Sequence, residues 1–105
     1  MSFDARLTVI GKTKHYDYET ITIADTAIGL TAAKLLTTVR PNKVLISIET
    51  AQCRWRMDGT DPTNAIGIIL NPMDTMEVEG LVNLKQIRFI RTGATSAKAQ
   101  VSYMR

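Results

Sequence analysis

The chain has 105 residues, 45% of them hydrophobic and 22% charged, with thirteen Lys and Arg against ten Asp and Glu for a net charge of +3. That length supports one modest core and not two, and the hydrophobic share excludes a disordered tail. The charge is mild and evenly spread, with six basic and five acidic residues up to Gln52 and seven and five after it, which excludes the dense basic footprint of a nucleic-acid binder. Only 6% of residues are aromatic, so the core must rest on Ile, Leu, Val, Met and Ala. A single cysteine, Cys53, excludes an internal disulfide. The start MSFDARLTVIGKTKH carries neither a long apolar run nor a small-residue cleavage site, and no window approaches the ~20 apolar residues of a helical membrane span. Together these features predict a soluble protein made in a reducing cytoplasm, with no membrane contact.

In chain order, Ala5–Ile10 and Tyr18–Ala24 read as strands; in the second, Tyr18, Thr20 and Thr22 oppose Glu19, Ile21 and Ile23. Residues 1–17 form a candidate extended arm. Asp25–Thr38 carries mixed signals. Asp25 as a cap and the Ala, Leu and Lys residues favour a helix, whereas Gly29 and the threonines around it favour turn and extended structure, with room for one short helix in 25–38. Arg40-Pro41-Asn42 is a loop.

The second half alternates more cleanly. Lys43–Thr50 places Val44, Ile46 and Ile48 on one face, and Gln52–Met57 places Cys53, Trp55 and Met57 opposite Gln52, Arg54 and Arg56. Asp58–Thr63 is a turn stiffened by Asp-Gly and Asp-Pro. Ala65–Leu70 is an apolar run stopped by Asn71-Pro72; Asp74–Glu79 alternates again and ends at Gly80. Gln86–Arg91 points Ile87 and Phe89 inward beside Arg88, and Ala97–Tyr103 alternates Ala97, Ala99, Val101 and Tyr103 with Lys98, Gln100 and Ser102. Short strands separated by turn signals predict an all-β chain: one antiparallel β-sandwich over 1–105, jelly-roll or immunoglobulin-like.

Chemistry is sparse in the same residues. His15 is the only histidine; it sits beside Tyr16 and Asp17, and the serines lie far from it in sequence with no nucleophile elbow around them. Cys53 falls on an apolar strand face and reads as core filler with no lowered pKa. Glu77 and Glu79 read as a solvated strand face, although paired carboxylates are also the currency of glycoside hydrolysis. One Cys and one His exclude a four-ligand zinc site. DGTDPTN has the oxygens of a calcium loop but not its spacing, and no glycine-rich phosphate loop is present, so no metal or cofactor is expected. Arg54 and Arg56 share a face, and Arg88 lies on a nearby strand. They are the candidate contacts for an acidic protein partner, because Arg is enriched at interface anchors. Nucleic acid is not expected there, since Trp55 points the other way.

Two resemblances sharpen these expectations. Trp55–Thr63, WRMDGTDPT, resembles the aromatic-x-x-Asp-Gly-Ser/Thr-x-Pro-Thr hairpin of small β-sandwich modules appended to chitobiase-type glycosidases. More broadly, the start SFDARLTVIGKTKHYDYETITIADTAIGLTAAKL, joined through DGTDPT, LNPMD and EG to IRFIRTGATSAKAQVSYMR, is similar to small proteins encoded among the structural genes of tailed bacteriophages and prophages. That likeness implies a non-enzymatic virion protein, of the capsid cement or decoration kind. Such a protein is made in the host cytoplasm and placed on the capsid surface, where it binds the major capsid protein and itself as a dimer or trimer. The alternative it leaves open is a carbohydrate-binding or adhesin-like module of a phage tail or host-recognition apparatus.

Overall fold

Residues 14–105 are described by the computed structural model, and they form seven strands and two short helices. The strands are β1 (His15–Ile23), β2 (Lys43–Glu49), β3 (Cys53–Arg56), β4 (Ile68–Leu70), β5 (Thr75–Glu79), β6 (Arg88–Arg91) and β7 (Ala97–Met104); the helices are α1 (Ala32–Leu35) and α2 (Leu81–Gln86). One sheet has the order β1-β7-β2-β5 and the other β4-β3-β6, every pairing antiparallel. The fold is the expected all-β sandwich.

Alternation decides which side chains fill it. Ile21 and Ile23 of β1, Val44, Ile46 and Ile48 of β2, Val78 of β5, and Ala97, Ala99, Val101 and Tyr103 of β7 are all buried on the inner face of the four-stranded sheet. Cys53, Leu70 and Phe89 answer them from the three-stranded sheet, and Leu35 of α1 and Leu84 of α2 close the part that the smaller sheet does not reach. Burial at roughly 25 cal/mol per Å² of apolar surface is the main term holding these layers together. The outer face of the larger sheet carries Thr20, Gln100, Ser47 and Thr75 in one cross-strand row and Thr22, Lys98 and Glu49 in another.

Several boundaries differ from the sequence expectation. The strand predicted over Ala5–Ile10 and most of the arm over 1–17 lie outside the described residues; within them, His15–Asp17 already belong to β1. Asp25–Thr38 combines both readings. Ile28 exchanges backbone hydrogen bonds of 2.9 and 2.8 Å with Phe89, Ala24 accepts from the Arg91 N–H at 3.0 Å, and a single helical turn follows at Ala32–Leu35. This segment therefore lines the outer edge of β6. Ala65–Leu70 pairs only over Ile68–Leu70, because Thr63 and Ile66 close a turn on each other (2.9 and 3.3 Å) and Gly67 sits at φ 141°. Leu81–Gln86 is helical where no helix was expected, so the strand predicted from Gln86 starts at Arg88. Gly80 at φ 93° turns the chain, and Leu81, Leu84 and Ile87, three apart, give the helix its inward side.

Candidate partner-contact face

The three arginines singled out from sequence do share one face. In the β3–β6 register Arg56 stands opposite Arg88 and Arg54 opposite Ile90, and on the other side Arg54 stands opposite Ile69 of β4. Residues directly opposite point the same way. A row of like charges results, and each guanidinium is already engaged. Arg54 donates to the carbonyls of Gly67 (2.8 Å) and Asn64 (3.3 Å), so it ties the long β3–β4 loop to the strand that precedes it. Arg56 makes a two-pronged pair with Asp58 (2.6 and 3.1 Å), and that hydrogen bond holds the Asp58 carboxyl below its ordinary range. Arg88 donates to the carbonyls of Lys85 and Ile87, both at 2.8 Å, at the end of α2. Its guanidinium lies over Gly29, where a Cβ would meet the nitrogen at 2.6 Å.

The opposite face of the same strands bears the residues expected in the core. Cys53 is fully buried, and burial, with a smaller contribution from Asp74, pushes its thiol up to about 11. Such a thiol is inert at neutral pH. Trp55 and Met57 are half-buried instead of sealed. Trp55 pairs in register with Phe89 on one side and Ile68 on the other. Because β4 is an edge, Trp55 opens on an apolar cleft of about 390 Å³ that it shares with Arg56, Met57, Asp58, Ile66, Gly67 and Ile68.

Two features were missed from sequence. The first is a polar clasp on the inner face of β1. Glu19 accepts from the hydroxyls of Tyr103 and Thr31 and from the Thr31 N–H at 3.2 Å, while Asp17 pairs with Lys34 of α1 at 3.1 Å. It fastens the segment leading into α1 onto the sheet, and only the long-range pairing of β1 with β7 brings Glu19 to Tyr103. The second is Ser102, which lies 2.7 Å from His15 Nδ1 despite a sequence separation of 87. The serines are thus not all remote from the histidine. Asp17, however, bonds Lys34 and the Tyr18 N–H, and the Tyr16 hydroxyl donates to the Val39 carbonyl. Among the described residues the pair has no orienting third group of the kind a nucleophilic triad uses.

Among the described residues no three His, Cys, Asp or Glu side chains come together as a metal site, so Asp58 and Asp61 stand apart from any cluster of that kind. No helix among the described residues is long and apolar enough to cross a membrane. Comparison with models of known families, with characterised proteins and with solved structures yields no significant match.

Exposed apolar side chains make the remaining surface distinctive. Ile66, Ile68, Ile69 and Met73 gather around β4, and Leu36 and Val82 stand out where α1 and α2 pack together. Tyr18, Ile28 and Val39 are exposed as well, but they lie outside β4 and the two helices.

Proposed function

We propose that this chain is a non-enzymatic virion structural protein of the capsid cement kind, binding the outside of a shell of major capsid protein and stabilising it. The observation that carries the reading is the presence of two groups of exposed apolar side chains, one around β4 and one at the helices, on a framework whose Arg54, Arg56 and Arg88 are spent bracing their own chain. A decoration protein needs two such surfaces, one for the shell and one for its own kind. Many weak contacts then add up to high occupancy on a repeating lattice. The resemblance to phage structural proteins supplies the identity of the shell. Arg54, Arg56 and Arg88 are rim contacts in this reading, because their charges are already partly satisfied within the chain.

Co-sedimentation with empty shells of the major capsid protein from the same phage or prophage tests it. Saturable binding that delays thermal disruption of the shell is the expected result. Particles imaged by electron microscopy that carry no copy of the chain on head or tail would sink it.

One observation favours a second reading, a sugar-binding module: the cleft at Trp55 has an aromatic wall and the Arg56–Asp58 pair at its rim. On a glycan array that reading requires a hit that disappears in Trp55→Ala.

A further inference from the structure

Among the described residues the two sheets have four edges, and three of them carry charges or a covering segment. β1 carries His15, Asp17 and Glu19 along its length, and β5 carries Glu77 and Glu79. The outer edge of β6 is occupied by Ala24 and Ile28. The fourth is β4, Ile68-Ile69-Leu70, which among the described residues has β3 on one side and no strand on the other. It contains no charge, no proline and no bulge, and its length of three residues is its one device against pairing. Ile66 and Ile68 are each 57% exposed, Ile69 41% and Met73 89%.

Met73 adds an independent sign. It occupies a turn closed by the Asp74 N–H on the Asn71 carbonyl (3.0 Å), following Pro72, at φ 79°. Glycine or asparagine is the favoured residue at such a position. A long apolar side chain is instead held there under strain and almost wholly in solvent, with its N–H fixed to the Ile48 carbonyl at 2.7 Å. Strain kept in this way points to use of the side chain.

We propose that β4 is where two copies of this chain pair, antiparallel about a two-fold axis through Ile69, joining two three-stranded sheets into one of six strands. The inference rests on the reading of the chain as an assembly component and names the surface of its self-contact. A second copy is the occupant because the edge is complementary to itself. With Ile69 facing Ile69 of the copy, Ile68 faces Leu70, and the Ile66 end of each β4 meets the Pro72–Met73 end of the other, so apolar groups meet apolar groups throughout. Charge permits the approach. Arg54 is bonded to its own loop carbonyls and Arg56 is balanced by Asp58, so no unpaired charge is buried between the copies. An acidic or basic partner would find no counter-charge on the strand itself. The contact is short beside the roughly 20–30 residues a side of a standard interface, so the dimer is weak, in the micromolar range or above.

Sedimentation velocity of the full chain over concentrations on the order of 10–1000 µM reads the dissociation constant directly. The expected result is a monomer–dimer equilibrium that Ile69→Lys weakens by about tenfold or more and that Val82→Lys, at a more exposed apolar site within α2, leaves unchanged. A crosslink guards against a variant that fails to fold. Residues facing across antiparallel strands lie about 4.5–5.5 Å apart at Cα, within disulfide reach. Ile69→Cys in a Cys53→Ala background should therefore form a disulfide dimer under mild oxidation, whereas Val82→Cys should not. A monomer at every concentration, a dimer indifferent to Ile69→Lys, or equal crosslinking at positions 69 and 82 would overturn the proposal. So would a dimer that vanishes when residues 1–13 are removed, since that segment would then be the occupant. A monomer that still coats shells refutes the pairing and leaves the capsid reading intact; a dimer through Ile69 that never binds shells does the reverse.

Discussion

Replacing Tyr103 by Phe removes one oxygen from the most heavily tied point of the structure. Tyr103 is fully buried, and its hydroxyl donates to Glu19, the same carboxylate that accepts from the Thr31 N–H and hydroxyl. Packing is retained, so the loss is that of a hydrogen bond to a charged acceptor, about 1.5–3 kcal/mol when fully sealed. Glu19 is half-buried, and water takes over part of what the hydroxyl supplied, which brings the expected loss to about 1–2 kcal/mol. For a domain of this size that is a fall in Tm of roughly 4–15 °C, read by differential scanning calorimetry at pH 7. The pH profile provides a second readout. Burial first, and Glu19 second, raise the Tyr103 pKa above its ordinary value of 10.0. The unfolded chain therefore loses this proton first, and wild-type stability falls as pH rises past 10. Tyr103→Phe lacks that loss, so the gap between the two proteins narrows with rising pH. A change in Tm below about 2 °C, with parallel profiles above pH 10, would refute the reasoning.

Three further outcomes follow from the same structure. Trp55→Ala should cost about 1.5–3 kcal/mol in urea unfolding, roughly half the penalty of a fully buried aromatic, and a loss below about 1 kcal/mol would mean that the ring stands free of the core. Gly67→Ala should cost about 1–3 kcal/mol and speed proteolysis of the 58–67 loop, because the residue lies at φ 141° and a Cβ there would meet the Arg54 Cβ at 3.0 Å; Gly93→Ala, with nothing within 4 Å, should be close to neutral. Cys53, raised from 9.0 to about 11, keeps its proton in the fold while the unfolded chain loses it, so stability should fall between pH 9 and 11 by about 2–3 kcal/mol; Cys53→Ala should show a clearly shallower fall of the urea midpoint from pH 9 to 10, and an unchanged slope there would count against the assignment.

The framework was legible wherever one face of a strand is buried, because burial on one side imposes a period of two. Val44, Ile46 and Ile48, and Ala97 through Tyr103, were readable for that reason, as was the burial of Cys53. Legibility failed where elements were short. Helices of four and six residues lie below the length at which local preference decides structure, and the packing of Leu35 and Leu84 decides it instead. The Leu81, Leu84, Ile87 spacing was the one signal that pointed to α2. The shared face of Arg54, Arg56 and Arg88 was also foreseeable from alternation plus a guess of adjacency. What those guanidinia bind was not, since Asn64, Gly67, Asp58 and Lys85 meet them only after the loop and α2 are placed.

By itself, then, the sequence determined an all-β chain with one core and a known set of inward positions, since side-chain alternation is a local property of extended backbone. Only the tertiary structure decided that Ile68–Leu70 is an edge, that Ile66, Ile68, Ile69 and Met73 remain in solvent, and that Trp55 opens on a cleft. Which strand lies at the rim of a sheet depends on pairings between distant residues, and no local pattern of hydrophobicity encodes it.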